Sequence, residues 1–199
     1  MDYLIQYFNS NCLEIFGFIT GLLCVYLNAK ENVWGWPIAM ASAVLYAFVF
    51  YKSKLYADMG LQLFFFAICA YGLYEWIAKK SDNQPLNISS LSGLVNVGGI
   101  FSCLVLSVFF SLVLREYTDS DMPFWDGTTA AISIVAQFFL ARKKTENWIY
   151  WIVADILYVG LYLYKGLIMT AFLYFIFIFL AYYGYLQWKK SMVKRLSDA

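Results

Sequence analysis

The residues best suited to chemistry lie on one apolar stretch in the last third of the chain. Counting from the first of them, they follow at i+3, i+7, i+10 and i+14: Trp148, Trp151, Asp155, Tyr158 and Tyr162. This spacing places all five on one face of an α-helix. Tryptophan and tyrosine faces attract cations by about 0.5–2 kcal/mol each, and a neighbouring carboxylate adds negative charge. The face predicts a pocket for a flat, cationic ligand with polar edges.

The same residues have a second interpretation. Trp148 and Trp151 follow the basic cluster Arg142–Lys144, where the interfacial aromatic belt of a membrane protein is expected. Asp155 has no place in such a belt, and its alternative role is a structural hydrogen bond to a neighbouring helix. An aspartate inside a membrane span costs about 2.5–3.5 kcal/mol, so we expect it to face a polar interior.

Seven long apolar stretches must position these residues. Hydrophobic residues make up 62% of the 199-residue chain, and a bilayer crossing needs about 20 apolar residues. We predict an all-α membrane protein of one domain, residues 1–199, with a solvated loop at 78–92. The seven predicted transmembrane helices are 13–29, 34–51, 56–77, 93–114, 124–141, 148–165 and 167–188.

The chain also resembles itself after a shift of 112 residues. The shift aligns Trp36 with Trp148, Tyr71-Gly72 with Tyr183-Gly184, and Trp76 with Trp188. It predicts two three-helix repeats, at about 13–77 and 124–188, joined by a linking helix at about 93–114. One helix between them gives the repeats the same orientation, an architecture of transporters whose substrate site lies near mid-membrane.

Three further residues are candidates for the pocket. Gln62 and Gln137 fall midway along their spans, where interhelical hydrogen bonding is the default role and a place in the pocket is the alternative. Trp36, as the match of Trp148, is either a pseudo-symmetric pocket wall or a belt residue.

The distribution of basic residues predicts the orientation. Four of the 14 lysines and arginines fall on one side of the membrane, namely Lys52, Lys54, Arg115 and Lys165, and ten fall on the other. We therefore expect a cytoplasmic C-terminus and an N-terminus outside. Residues 1–10 contain no lysine or arginine, unlike a signal peptide, so the first apolar stretch is expected to remain as a helix.

Several function classes lack support in the composition. There is no histidine, the four cysteines form no C-x-x-C pair, and the net charge is only +1. We therefore predict no cofactor, no metal and no nucleic-acid partner; the lipid bilayer and a small molecule are the expected partners. An intramembrane enzyme is disfavoured by the lack of a catalytic motif. A membrane scaffold is disfavoured because it has no need of an aspartate among aromatic side chains.

The stretch ENWIYWIVAD, Glu146 to Asp155, resembles the W-x-x-W-x-x-x-[N/D] signature of the PnuC family of bacterial vitamin transporters. PFWD from Pro123, SIVAQ from Ser133 and LYADMGLQLFFF from Leu55 are also similar to segments of that family. The resemblance extends from about the first span to Trp188. It implies two parallel three-helix units joined by a seventh helix, related in architecture to SWEET sugar transporters.

The resemblance also implies a function. It predicts facilitated diffusion of a B-vitamin precursor across the bacterial inner membrane, trapping by a cytoplasmic kinase, and a homotrimer. Trp148 and Trp151 match the signature tryptophans that sandwich the ligand ring, and Asp155 matches its polar end. Most nicotinamide riboside members have asparagine there, whereas thiamine members tend to have aspartate. The sequence therefore slightly favours thiamine as the substrate, with nicotinamide riboside as the alternative.

Overall fold

Seven α-helices form the chain in a computed structural model that describes residues 2–52, 56–81 and 86–197. Outside the helices, an isolated β-bridge joins Ser89 to Lys144. The all-helical fold class is thus confirmed. The helices are α1 (Asp2–Ala29), α2 (Gly35–Lys52), α3 (Tyr56–Ser81), α4 (Gly93–Tyr117), α5 (Pro123–Ala141), α6 (Asn147–Tyr164) and α7 (Ile168–Ser197).

Three helices extend beyond their predicted spans. Helix α1 begins at Asp2, α3 continues to Ser81 and α7 continues to Ser197. None of these extensions contains glycine or proline, so nothing in them breaks the helix where the apolar stretch ends. In the last turn of α7, Lys194 and Arg195 also interact favourably with the negative end of the helix dipole.

Length and apolar composition identify three of the helices as clear membrane spans among the described residues: α4, α5 and the Ile168–Arg195 part of α7. Shorter apolar stretches, Phe16–Ala29, Gly35–Phe48 and Gln62–Ala78, lie within α1, α2 and α3. Helix α6, with 18 residues, is long enough, but its tryptophans, tyrosines and aspartate lower its mean hydropathy and it is not among these spans. These side chains are the ones that the sequence assigned to the interior.

The helices pack as two groups of three. Within the first group α2 contacts α1 and α3, and within the second α6 contacts α5 and α7. The groups meet where α1 packs on α7 and α3 packs on α5. Helix α4 lies beside α5, and its buried residues are Gly99 and Ser107. We call α1–α3 the first group and α5–α7 the second group.

Each group is held together by an indole ring packed on a glycine. Trp36 of α2 lies over Gly72 of α3, where an added Cβ would come within 2.3 Å of the indole. Trp148 of α6 lies over Gly184 of α7 in the same way, with a distance of 2.7 Å. Both indoles are buried. The two contacts are related by the 112-residue shift found in the sequence.

The segment predicted as a solvated loop, 78–92, is partly ordered against the protein. Its residues 86–92 lie on the α5–α6 turn, where the Ser89 amide donates to the Lys143 carbonyl at 3.1 Å and the Thr145 amide donates to Ser89 at 3.0 Å. Ile88 is buried in the core, although the polar composition of this segment predicted that it would be exposed to solvent. Residues 82–85, like the predicted link near 53–55, lie outside the described residues.

Gly184→Ala should destabilise the protein by about 1–3 kcal/mol, because the new methyl group would overlap the Trp148 indole in a packed interior. The matched control is Gly160→Ala on α6, where no atom lies within 4 Å of an added Cβ. Thermal unfolding in detergent measures both. Equal midpoints for the two variants would contradict the tight indole–glycine contact.

Candidate functional site

A cavity of about 560 Å³ lies between the two groups, lined by described residues of every helix except α4. It brings together six of the eight residues that the sequence singled out: Gln62, Gln137, Trp148, Trp151, Asp155 and Tyr162. These six come from three helices, α3, α5 and α6. The sequence placed four of them on one helical face, and the packing adds the two glutamines.

Asp155 is the charged residue in the cavity wall. It is only 2% exposed, and it accepts no hydrogen bond from the described residues. A buried carboxylate without a donor or a counter-ion is costly. The second interpretation, a structural hydrogen bond to a neighbouring helix, therefore has no support among these residues, and the carboxylate is left available to a ligand.

Trp148 has two roles in the structure. Its indole lines the cavity and also packs edge-on against Trp188, with ring centroids 5.4 Å apart. At 2% exposure its indole is covered by protein, whereas a residue of an interfacial belt would present its ring at the surface. Trp151, one turn further along α6, is half-buried on the same wall.

The two glutamines contribute amides to a cavity whose lining is mostly aromatic and apolar. Gln137 of α5 also lies near Cys69 of α3, with its Nε2 3.7 Å from the thiol Sγ. It therefore combines the two roles considered for it, a link between the groups and a place in the wall. Gln62 lines the cavity from α3. In a largely apolar pocket, a few amide and carboxylate groups of this kind bind the polar edges of a flat ligand and fix its orientation.

Two of the predicted site residues do not line the cavity. Trp36 is fully buried and packs edge-on against Trp76 at 5.5 Å. Tyr158 lies behind the wall, with its hydroxyl 3.4 Å from Ser133 Oγ and its ring 4.6 Å from that of Tyr174. Tyr158 belongs to the predicted face of α6 and Trp36 lies on α2, and neighbouring helices cover both side chains.

Other lining residues were not chosen from the sequence. Tyr174 of α7 faces the cavity, and its ring lies 5.1 Å from that of Tyr162. Asn28 and Cys24 line the cavity from α1. A signal for Tyr174 was present, because it is the residue that the 112-residue shift aligns with Gln62.

Comparison with known proteins identifies the family. A family model described as "Nicotinamide mononucleotide transporter" matches residues 11–190, which is most of the chain. The chain belongs to this family, the PnuC transporters. It is similar to the nicotinamide riboside transporter PnuC of Escherichia coli K12, with 28% identity over 96% of this chain and 91% of that protein.

Two further similarities bear on the site. The riboflavin/roseoflavin transporter RibM of Streptomyces davaonensis is 25% identical over 88% of this chain and 83% of that protein. The crystal structure of a vitamin B3 transporter PnuC superimposes with a TM-score of 0.73 and 26% identity, covering 98% of this chain and 87% of that chain. The family resemblance drawn from the sequence is thus confirmed.

The protein is therefore a multi-pass membrane transporter for a vitamin, and neither an enzyme nor a scaffold. The cavity is the part of the described structure that fits such a role, because it lies between two helix groups and has the volume of a small-molecule site.

Trp148→Ala should weaken binding of thiamine or nicotinamide riboside by about 1–2 kcal/mol, or about five- to thirtyfold, through loss of ring contact and cation–π attraction. The matched control is Trp36→Ala, which removes the equivalent indole–glycine contact but does not touch the cavity. Isothermal titration calorimetry measures the affinities, and thermal unfolding measures the stability that both variants should lose.

Trp151→Ala supplies a second variant with a less buried indole, and we expect a similar loss of affinity. If Trp36→Ala weakens binding as much as Trp148→Ala does, then Trp148 acts through packing alone.

Proposed function

We propose that the cavity binds a flat cationic B-vitamin precursor, thiamine or nicotinamide riboside, and that the protein carries it across the bacterial inner membrane by facilitated diffusion. The observation that carries this proposal is Asp155, a buried carboxylate on the wall of an aromatic cavity with no donor among the described residues. A cationic ring would supply the missing counter-charge, and Trp148 and Trp151 would contact its faces. Gln62 and Gln137 would bind its polar edges.

The charge of the wall supports a cation over other ligands. No lysine or arginine is among the described residues that line the cavity. A neutral flavin would leave Asp155 without a counter-charge, so the similarity to RibM does not make riboflavin the favoured substrate. A phosphate ester would bring negative charge beside Asp155 without a basic partner. Phosphorylation by a cytoplasmic kinase would therefore trap the imported vitamin, because its product no longer fits the carrier.

Asp155 also favours thiamine slightly over nicotinamide riboside. A carboxylate accepts hydrogen bonds only, so it suits the aminopyrimidine amine and the thiazolium charge of thiamine. The carboxamide of nicotinamide riboside both donates and accepts, and an asparagine would match both. The named PnuC relatives are described as carrying nicotinamide riboside, which keeps that vitamin as the second candidate.

The architecture proposed with this function is a single transporter domain, residues 1–199, built from two parallel repeats around a linking helix, as in SWEET-like transporters. The equivalent contacts of Trp36 with Gly72 and Trp148 with Gly184 support the repeats. The excess of basic residues on one side supports an N-terminus outside and a cytoplasmic C-terminus. The homotrimer rests on the family resemblance.

The deciding experiment is a side-by-side calorimetric titration of the wild type and Asp155→Asn with thiamine and nicotinamide riboside. The substitution should weaken thiamine binding by at least about 1.5 kcal/mol, roughly tenfold, the scale of a charge-assisted hydrogen bond. Nicotinamide riboside binding should fall less or improve.

The matched control is Asp126→Asn, which removes a carboxylate that is paired with Lys165 at 3.0 Å and does not line the cavity. It should leave both affinities within about twofold, since exposed pairs contribute little. An Asp155→Asn variant that binds thiamine as tightly as the wild type would show that the aspartate does not select thiamine over nicotinamide riboside.

Transport should be uncoupled from ion gradients. Ion-driven carriers need ionisable groups in the membrane beyond the substrate contact, and Asp155 is the one charged residue among the described residues of the wall. In proteoliposomes without a kinase, the substrate should reach equal concentrations inside and out. Accumulation above that level, seen only with a proton or sodium gradient, would contradict this prediction.

A further inference from the structure

The turns that join α1 to α2 and α5 to α6 meet at one end of the cavity. Each contains a non-glycine residue in the left-handed region, Glu31 with φ 55° and Lys143 with φ 49°. Such backbone is uncommon for residues with a Cβ. The two positions are 112 residues apart and thus equivalent in the repeats. Their side chains form an ion pair, with Lys143 Nζ 3.1 Å from Glu31 Oε2.

Further contacts across the groups surround this pair. Arg195 of α7 reaches the same Glu31 carboxylate at 3.4 Å. Lys143 Nζ also lies over the ring of Trp76, 4.6 Å from its centroid. Only 19% of the Glu31 side chain and 13% of the Lys143 side chain are exposed. The first group is therefore tied to the second by charges held partly out of water.

A layer of four tryptophans lies beneath the ion pair: Trp36, Trp76, Trp188 and Trp148, each at most 4% exposed. Neighbouring ring centroids in this order are 5.5, 6.2 and 5.4 Å apart. Trp188 Nε1 donates to the Asn28 carbonyl at 3.2 Å, which again joins α7 to α1. We call this set the tryptophan layer. Of the four, Trp148 lines the cavity, so the layer lies against one end of the cavity and contributes this one side chain to its wall.

Burial distinguishes the two ends of the cavity. Near the tryptophan layer, Asn28, Leu140 and Ala181 are all buried. At the opposite end, Tyr162 and Thr170 are only half-buried. The cavity is therefore closed at the end where the two turns meet.

We propose that the tryptophan layer and the ionic latch of Glu31, Lys143 and Arg195 form the cytoplasmic gate of this transporter. Opening separates the first group from the second at this end, breaking the latch and parting Trp76 from Trp188. The latch suits such a step, because the cost of desolvating largely buried charges offsets much of their mutual attraction, so that these ion pairs can break during each transport cycle. The proposal rests on the proposed function for its cytoplasmic placement.

The test measures access to the cavity without any vitamin. Cys24 and Cys69 line the cavity, and Cys12→Ser with Cys103→Ser removes the other thiols. A membrane-impermeant cationic methanethiosulfonate is added to inside-out vesicles. Glu31→Gln should raise the labelling rate from the cytoplasmic face by about three- to tenfold, since two ion pairs are lost. Lys143→Gln should also raise the labelling rate. The double variant that combines Glu31→Gln and Lys143→Gln should be labelled about as fast as Glu31→Gln alone, because both substitutions remove the same ion pair.

The matched control is Lys165→Gln, which removes an ion pair of similar length, 3.0 Å to Asp126, away from the tryptophan layer. It should leave labelling unchanged. Unaltered labelling in Glu31→Gln, an equal rise in Lys165→Gln, or a rise only from the outer face of right-side-out vesicles would each overturn the proposal. The readout is independent of vitamin binding, so a failed titration and a failed gate are distinguishable.

Discussion

The contact between an indole ring and a glycine of the next helix is the constraint on which the rest of this structure depends. At Gly184 the missing side chain lets Trp148 lie flat against α7, so α6 and α7 approach closely. Small residues serve this purpose in membranes, where close packing replaces the hydrophobic effect between helices. The same contact fixes the rotation of α6, which turns Trp151 and Asp155 towards the cavity. It also places Trp148 in the cavity wall beside Trp188.

The two groups share this packing but divide the chemistry. The 112-residue shift aligns Trp151 with Ala39 and Asp155 with Ala43, and all four residues line the cavity. At these two positions the second group supplies an aromatic and an acidic side chain, and the first supplies alanines that leave room for a ligand. A symmetric pair of tryptophans and aspartates would fill the space and bring two carboxylates together. The difference at these two positions thus places the acidic group on one side of the cavity.

The prediction from sequence succeeded where a local pattern carries the information. The seven apolar stretches gave seven helices, and the 3.6-residue period placed Trp148, Trp151 and Asp155 on one face. It was less successful where partners distant in sequence decide the outcome. Residues 86–92 read as a polar loop, yet Ile88 is buried and the backbone pairs with the α5–α6 turn. Trp36 and Tyr158 fit the aromatic pattern of the site but are covered by neighbouring helices.

The sequence by itself determined the helices, the face of α6 and, through the W-x-x-W-x-x-x-[N/D] signature, the family. These follow from composition and periodicity, which are properties of a single segment. Only the tertiary structure decided that Gln62 and Gln137 meet that face, that Asp155 lacks a donor among the described residues, and that Glu31 pairs with Lys143. Those facts depend on how helices far apart in the chain pack and rotate. Helical periodicity predicts which residues share a face of a helix, but it does not predict which helix packs against that face.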